Sequence, residues 1–207
     1  MTTLITFAAA GTALAGIALA AGVQADAAEF KPKEELQAAH GTYRSAAPEE
    51  WYGGFGTREF TFADGRWTLT FTHALDPAMT LRTFQFRTGG NFEIRQPSPD
   101  VEGAYHGVFG EDWKHLTLLT DNPEIVAAMG MAGCGLTTNL ETDISETGCA
   151  NWKPVAECGE DHDLFAMDAT SVYFGVRPAD NDMCTPDKVP TALLPAVPAF
   201  AVAGATQ

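Results

Sequence analysis

Between Arg58 and Ile94 apolar residues recur at every second position. Phe60 and Phe62 alternate with Glu59, Thr61 and Ala63. Trp67, Leu69 and Phe71 alternate with Arg66, Thr68, Thr70 and Thr72. Phe84 and Phe86 alternate with Thr83, Gln85 and Arg87, and Phe92 and Ile94 with Glu93 and Arg95. A period of two is that of a pleated sheet with one apolar and one polar face. The pattern predicts a hairpin of Arg58–Phe62 with Arg66–Ala74 through the turn pair Asp64-Gly65. It predicts a second hairpin, Leu81–Arg87 with Asn91–Arg95, around Gly89-Gly90.

Further strands are expected at Gly103–Val108, His115–Leu119, Leu164–Asp168 and Ser171–Arg177. A short helix runs from Pro32 towards Gly41. Asn122-Pro123-Glu124 reads as a cap, a first-turn proline and a first-turn acid before a helix over Ile125–Met129. Ala46–Gly56 reads as loop. Thr137–Asp163 reads as loops stapled by cysteines, with one strand near Leu140–Ile144. The fold class is therefore all-β: an antiparallel barrel-like or strongly curved sheet with short N-terminal and mid-chain helices. Residues 28–192 form one domain, and 193–207, rich in Pro and Ala, a flexible tail.

Residues 1–27 lie outside that pattern. Leu4 to Val23 carries no charge, and Ala25-Asp26-Ala27 has the small-x-small form of a signal-peptidase site. A cleaved signal peptide is expected, placing the mature chain in the periplasm or outside the cell without a stable membrane anchor. No Lys or Arg precedes the apolar stretch, and an uncleaved anchor is the rival reading. With 207 residues and a formal net charge of −15, the chain lacks the basic surface that nucleic acid requires. Its 4 cysteines, Cys134, Cys149, Cys158 and Cys184, form an even set, which in an exported chain reads as two disulfides. Three pairings are possible; Cys134–Cys149 with Cys158–Cys184 closes the shortest loops. No Cys-x-x-Cys pair supports zinc.

A succession of short motifs is similar to the adenomatosis polyposis coli down-regulated (APCDD) domain. Leu36 and Gly41-Thr42-Tyr43-Arg44-Ser45 come first, then Thr57-Arg58-Glu59-Phe60-Thr61-Phe62, Arg66-Trp67-Thr68-Leu69-Thr70-Phe71 and Asp76-Pro77. Phe84-Gln85-Phe86-Arg87-Thr88-Gly89-Gly90-Asn91-Phe92 follow. Val172-Tyr173-Phe174-Gly175-Val176-Arg177-Pro178 and the run from Cys184 to Leu193 close the series. The resemblance spans Leu36 to Leu193. It implies a single-domain, exported, bacterial-type member with an antiparallel β-barrel-like fold and a hydrophobic pocket proposed to take lipid. The family pattern has a Cys shortly after Ser45 and another after Asp76-Pro77; this chain has neither. Gly41-Thr42-Tyr43 also echoes the Gly-x-Trp of lipocalin-type barrels.

These readings point to a non-enzymatic binder of a hydrophobic small molecule or lipid. The candidate wall is Phe60, Phe62, Trp67, Leu69, Phe71, Phe84, Phe86, Phe92 and Ile94, and each buried methylene contributes about 0.8 kcal/mol. A packed core is the competing reading of the same residues. Arg58 is a candidate anchor for a carboxylate or phosphate head group; alternatively it lies on the solvent face, paired with Glu59 or Glu93. His40, His73, His106, His115 and His162 form no metal or catalytic spacing. The acidic stretches Glu157–Asp163 and Asp180–Asp182 lack the EF-hand pattern, and no Gly-x-Ser-x-Gly or phosphate-binding loop occurs. No cofactor or metal is expected. An interaction module with a filled barrel and a lipid-acting hydrolase or isomerase are the alternatives; oligomeric state stays open.

Overall fold

The computed structural model describes residues 29–200; the expected signal peptide and the last residues of the expected tail lie outside them. The chain runs α1 (Lys33–Gln37), β1 (Gly41–Arg44), β2 (Glu49–Trp51), β3 (Gly54–Ala63), β4 (Arg66–Ala74), β5 (Arg82–Pro97), β6 (Tyr105–Gly110) and β7 (Trp113–Leu118). Then follow α2 (Pro123–Ala128), β8 (Glu141–Asp143), β9 (Glu160–Met167), β10 (Ser171–Phe174), a 3₁₀ turn (Pro186–Lys188) and β11 (Val197–Pro198). The sheet order is β1-β3-β4-β5-β6-β9-β10-β11, with β2 on β3, β7 on β5 and β8 on β7. Every strand pairing is antiparallel. The sheet curls into a nearly closed barrel: past β11, Ala199 bridges to Tyr43 of β1, and the Phe200 amide donates to the Thr42 carbonyl at 2.7 Å.

The β3–β4 hairpin turns at Asp64-Gly65 as the alternation requires, both residues at positive φ (52° and 73°). Gly89-Gly90 does not turn. Both lie inside β5, one 16-residue strand. The first half of β5 pairs with β4 and β7; beyond Gly90, β6 takes the place of β7. A Cβ at Gly89 would meet the Trp67 carbonyl oxygen, and one at Gly90 the Gly110 carbonyl oxygen. These glycines let neighbouring backbones approach where β7 gives way to β6. Gly90→Ala is expected to cost about 1–3 kcal/mol through that collision, read as a lower urea midpoint at unchanged slope.

Three other expectations are corrected. The segment 46–56 is not all loop: β2 folds back on β3 through Tyr52-Gly53, at φ 49° and 77°. The chain up to Asp163 is not all loop either, because β9 begins at Glu160 and pairs with β6. The tail beyond Leu193 does not hang free as far as Phe200: Val197 is fully buried and pairs with Val172 of β10. A Pro- and Ala-rich segment with no alternation can still close a sheet edge, since its backbone supplies the hydrogen bonds.

The interior holds two apolar clusters. One gathers Phe62, Phe92, Phe109, Phe165 and Phe174 beneath α1, whose Leu36 is fully buried. The other gathers Phe71, Phe84, Phe86, Leu116, Ile144 and Trp152. Leu69 packs against both. The disulfides are Cys134–Cys149 and Cys158–Cys184, the pairing with the shortest loops. No described helix is long and apolar enough to cross a membrane.

Candidate functional site

All nine residues of the expected apolar wall face inward. Phe60, Phe62, Trp67, Phe92 and Ile94 belong to the first cluster and Phe71, Phe84 and Phe86 to the second, with Leu69 against both. Between the clusters is a half-open cavity of about 70 Å³. Phe60, Trp67, Leu69, Phe71 and Phe86 line it, as does Arg58. Phe62, Phe84, Phe92 and Ile94 are absent from its lining and pack the core around it. The wall and the filler are thus different members of one alternating face.

Further aromatic walls come from segments with no alternation. Trp51 and Tyr52 arrive on the β2–β3 turn and Trp152 on the disulfide-bordered stretch 149–158. Tyr52 packs edge-on against Phe71 and Trp152, and Trp152 stacks on Phe86 with centroids 4.9 Å apart. At the mouth the Tyr52 hydroxyl donates to Asn181 Oδ1 at 2.8 Å, and Arg177 Nε donates to the same oxygen at 2.7 Å. The β2–β3 turn is thereby tied to the loop after β10.

A group of buried charges also lines the cavity. Lys114 of β7 reaches Glu111 Oε2 at 2.8 Å, and its Nζ donates to the Lys153 and Cys158 carbonyls at 3.0 and 2.7 Å. Arg177 Nη2 pairs with Asp161 Oδ2 at 2.8 Å. Asp163 Oδ1 accepts from the amides of Leu164 and Gly175 at 2.7 and 2.8 Å. Burial pushes the Asp163 carboxyl up to about 7, against the pull of Arg177. Burial and the neighbouring Asp161 push Glu111 up to about 7, against Lys114. Burial opposes the charge on Arg177, but Asp161, Tyr52 and Asp163 together hold its pKa above the ordinary arginine value. One signal of this group was present in the sequence: Asp161 and Asp163 share the parity of Phe165 on β9, whereas loop was expected there.

Arg58 is not on the solvent face. It shares the parity of Phe60 and Phe62, is 4% exposed, and pairs with Glu49 of β2 at 2.8 Å. Glu59 is taken by Arg44, and Glu93 by Arg95. The Arg58 guanidinium lies 5.6 and 5.8 Å from the Trp51 and Phe60 ring centroids. Burial lowers its pKa, and Glu49 partly restores it.

Glu111, Cys158 and Asp161 place ligand-type atoms within 4.8 Å of one another. Cys158 is in a disulfide, and Lys114 and Arg177 already neutralise the two carboxylates, so these donors do not suit a metal. His73 is fully buried between Thr83 Oγ1 at 2.7 Å and the Trp51 carbonyl at 3.0 Å. Donating from Nε2 to that carbonyl, it is a neutral structural histidine whose pKa burial lowers.

Fold and site together define an antiparallel β-barrel protein with a half-open cavity, aromatic on its walls and ion-paired along one side. No protein-family model matches the chain, and no curated protein matches it.

Proposed function

We propose that this chain is an exported, non-enzymatic protein that binds a hydrophobic or lipidic ligand in the barrel. The observation that carries the reading is the cavity itself, open to solvent between two aromatic clusters. The two disulfides suit an oxidising compartment, and the APCDD resemblance supports a lipidic ligand. A dry 150 Å³ cavity takes about one benzene. The cavity, at about 70 Å³, therefore holds only part of a long hydrophobic ligand.

Titration of the purified protein with an uncharged fluorescent lipid, a pyrene-labelled fatty acid methyl ester, followed by displacement and by native mass spectrometry, tests this. Saturable binding that quenches tryptophan emission is expected, because Trp51, Trp67 and Trp152 line the cavity. Leu69→Trp, which fills the gap between the clusters, is expected to weaken binding about tenfold or more at a stability cost of about 1–3 kcal/mol. No co-purified ligand and no saturable binding would refute the proposal.

One observation favours a second reading, a hydrolase or isomerase. Asp163 and Glu111, both with raised pKa, adjoin the cavity. That reading requires turnover that Asp163→Asn abolishes while the fold survives.

A further inference from the structure

Resting on the binder reading, the geometry points to a ligand of particular chemistry: an uncharged hydrophobic molecule that presents a carbonyl-type oxygen to the Arg58 guanidinium. Arg58 is nine-tenths buried, lines the cavity, and is not saturated. Glu49 and the Pro195 carbonyl both use Nη2, the latter at a long 3.5 Å. Nε is buried without a hydrogen-bond partner among the described residues. A buried cation with hydrogen-bonding capacity left over favours an acceptor brought against the guanidinium.

Charge decides between a neutral acceptor and an anion. The four cations lining the cavity are each paired: Arg58 with Glu49, Lys114 with Glu111, Lys153 with Asp182 and Arg177 with Asp161. Asp163 and Asp180 line it as well and have no salt-bridge partner among the described residues. A carboxylate or phosphate entering here would lose its hydration without meeting an uncompensated positive charge. It would also approach a chain of formal net charge −15. A ketone, ester or amide oxygen can take a charge-assisted hydrogen bond from the guanidinium at a much smaller desolvation cost. A cationic ligand would place its charge beside Arg58. This reverses the expectation of an acidic head group on Arg58.

Four probes of similar shape test the inference: 2-acetylnaphthalene, 2-naphthoate, 2-ethylnaphthalene and 1-(2-naphthyl)ethylamine, each titrated by tryptophan quenching and calorimetry. The ketone is expected to bind about 10- to 100-fold more tightly than the hydrocarbon and more tightly than either ion. In Arg58→Met with Glu49→Gln, which removes both charges of the pair, the ratio of ketone to hydrocarbon affinity is expected to fall to about one. Carbonyl-¹³C-labelled ketone on the unaltered protein gives a readout independent of that variant's folding. A downfield shift on binding supports the hydrogen bond, and no shift overturns it. Equal affinity for ketone and hydrocarbon, or tightest binding of the acid or the amine, overturns the inference and leaves the binder reading standing. Failure of all four probes overturns the inference; failure of the uncharged fluorescent lipid as well removes the binder reading.

Discussion

Lys114→Met is expected to destabilise the barrel by about 3–5 kcal/mol, the range for removing one partner of a buried ion pair. Lys114 is 1% exposed. Its ammonium is bonded to Glu111 and to the Lys153 and Cys158 carbonyls, so it joins β7 to the disulfide-bordered segment that carries Trp152. Methionine keeps most of the stem's packing but leaves a buried carboxyl and two carbonyls without a donor. The loss is expected to grow with pH. Without Lys114 the Glu111 pKa rises further above its ordinary 4.5. A carboxyl whose folded pKa is raised contributes most at low pH, and that contribution fades as pH climbs towards the folded value. Urea unfolding at pH 5 and pH 8 checks this. Glu111→Gln in the Lys114→Met background should recover part of the loss at pH 8, with a coupling of about 1–3 kcal/mol. Equal losses at both pH values would refute the account.

Asp163→Asn is expected to flatten the pH dependence of stability. The Asp163 pKa rises from 3.8 to about 7 on folding, chiefly by burial. The folded state then binds more protons than the unfolded state between those values, so this group's contribution falls as pH rises through that window. The gap corresponds to about 4 kcal/mol at most. Asparagine retains an oxygen for the Leu164 and Gly175 amides and cannot ionise. The difference between wild type and variant is the readout, because Asp76, Asp143, Asp182 and Glu141 have lowered pKa values and act in the opposite direction. Parallel pH profiles would show that the carboxyl is already ionised in the folded protein.

The strands that carry alternation were legible because period two fixes both the element and its inward face. Phe60, Trp67, Phe71 and Phe86 followed from parity; Arg58 shares that parity, but a charged side chain at a strand start reads equally as solvent-facing, and only its pairing with Glu49 decides. Local chemistry gave the Asp64-Gly65 turn and the Asn122 cap, whose Oδ1 accepts from the Glu124 and Ile125 amides. Of the three possible disulfide pairings, the one with the shortest loops is the one formed, which only the structure decides. Gly89-Gly90 misled because two adjacent glycines suit a turn and a tight backbone approach equally well. Only the position of the Gly110 carbonyl distinguishes the two.

The barrel's apolar lining was written in the sequence by itself, since it needs only side chains that alternate along single strands. Its cavity was not. The mouth depends on Tyr52 meeting Asn181, and the charged side depends on Lys114 meeting Glu111 and on Arg177 meeting Asp161. The closure depends on Ala199 meeting Tyr43. Most of these partners are far apart in the chain and no periodicity relates them. Which aromatics pack as core and which face open space was therefore decided by how β5 passes from β7 to β6 and by how the disulfide-bordered segment carries Trp152 to the cavity. Those are properties of three-dimensional packing, and a one-dimensional pattern cannot encode where two distant segments meet.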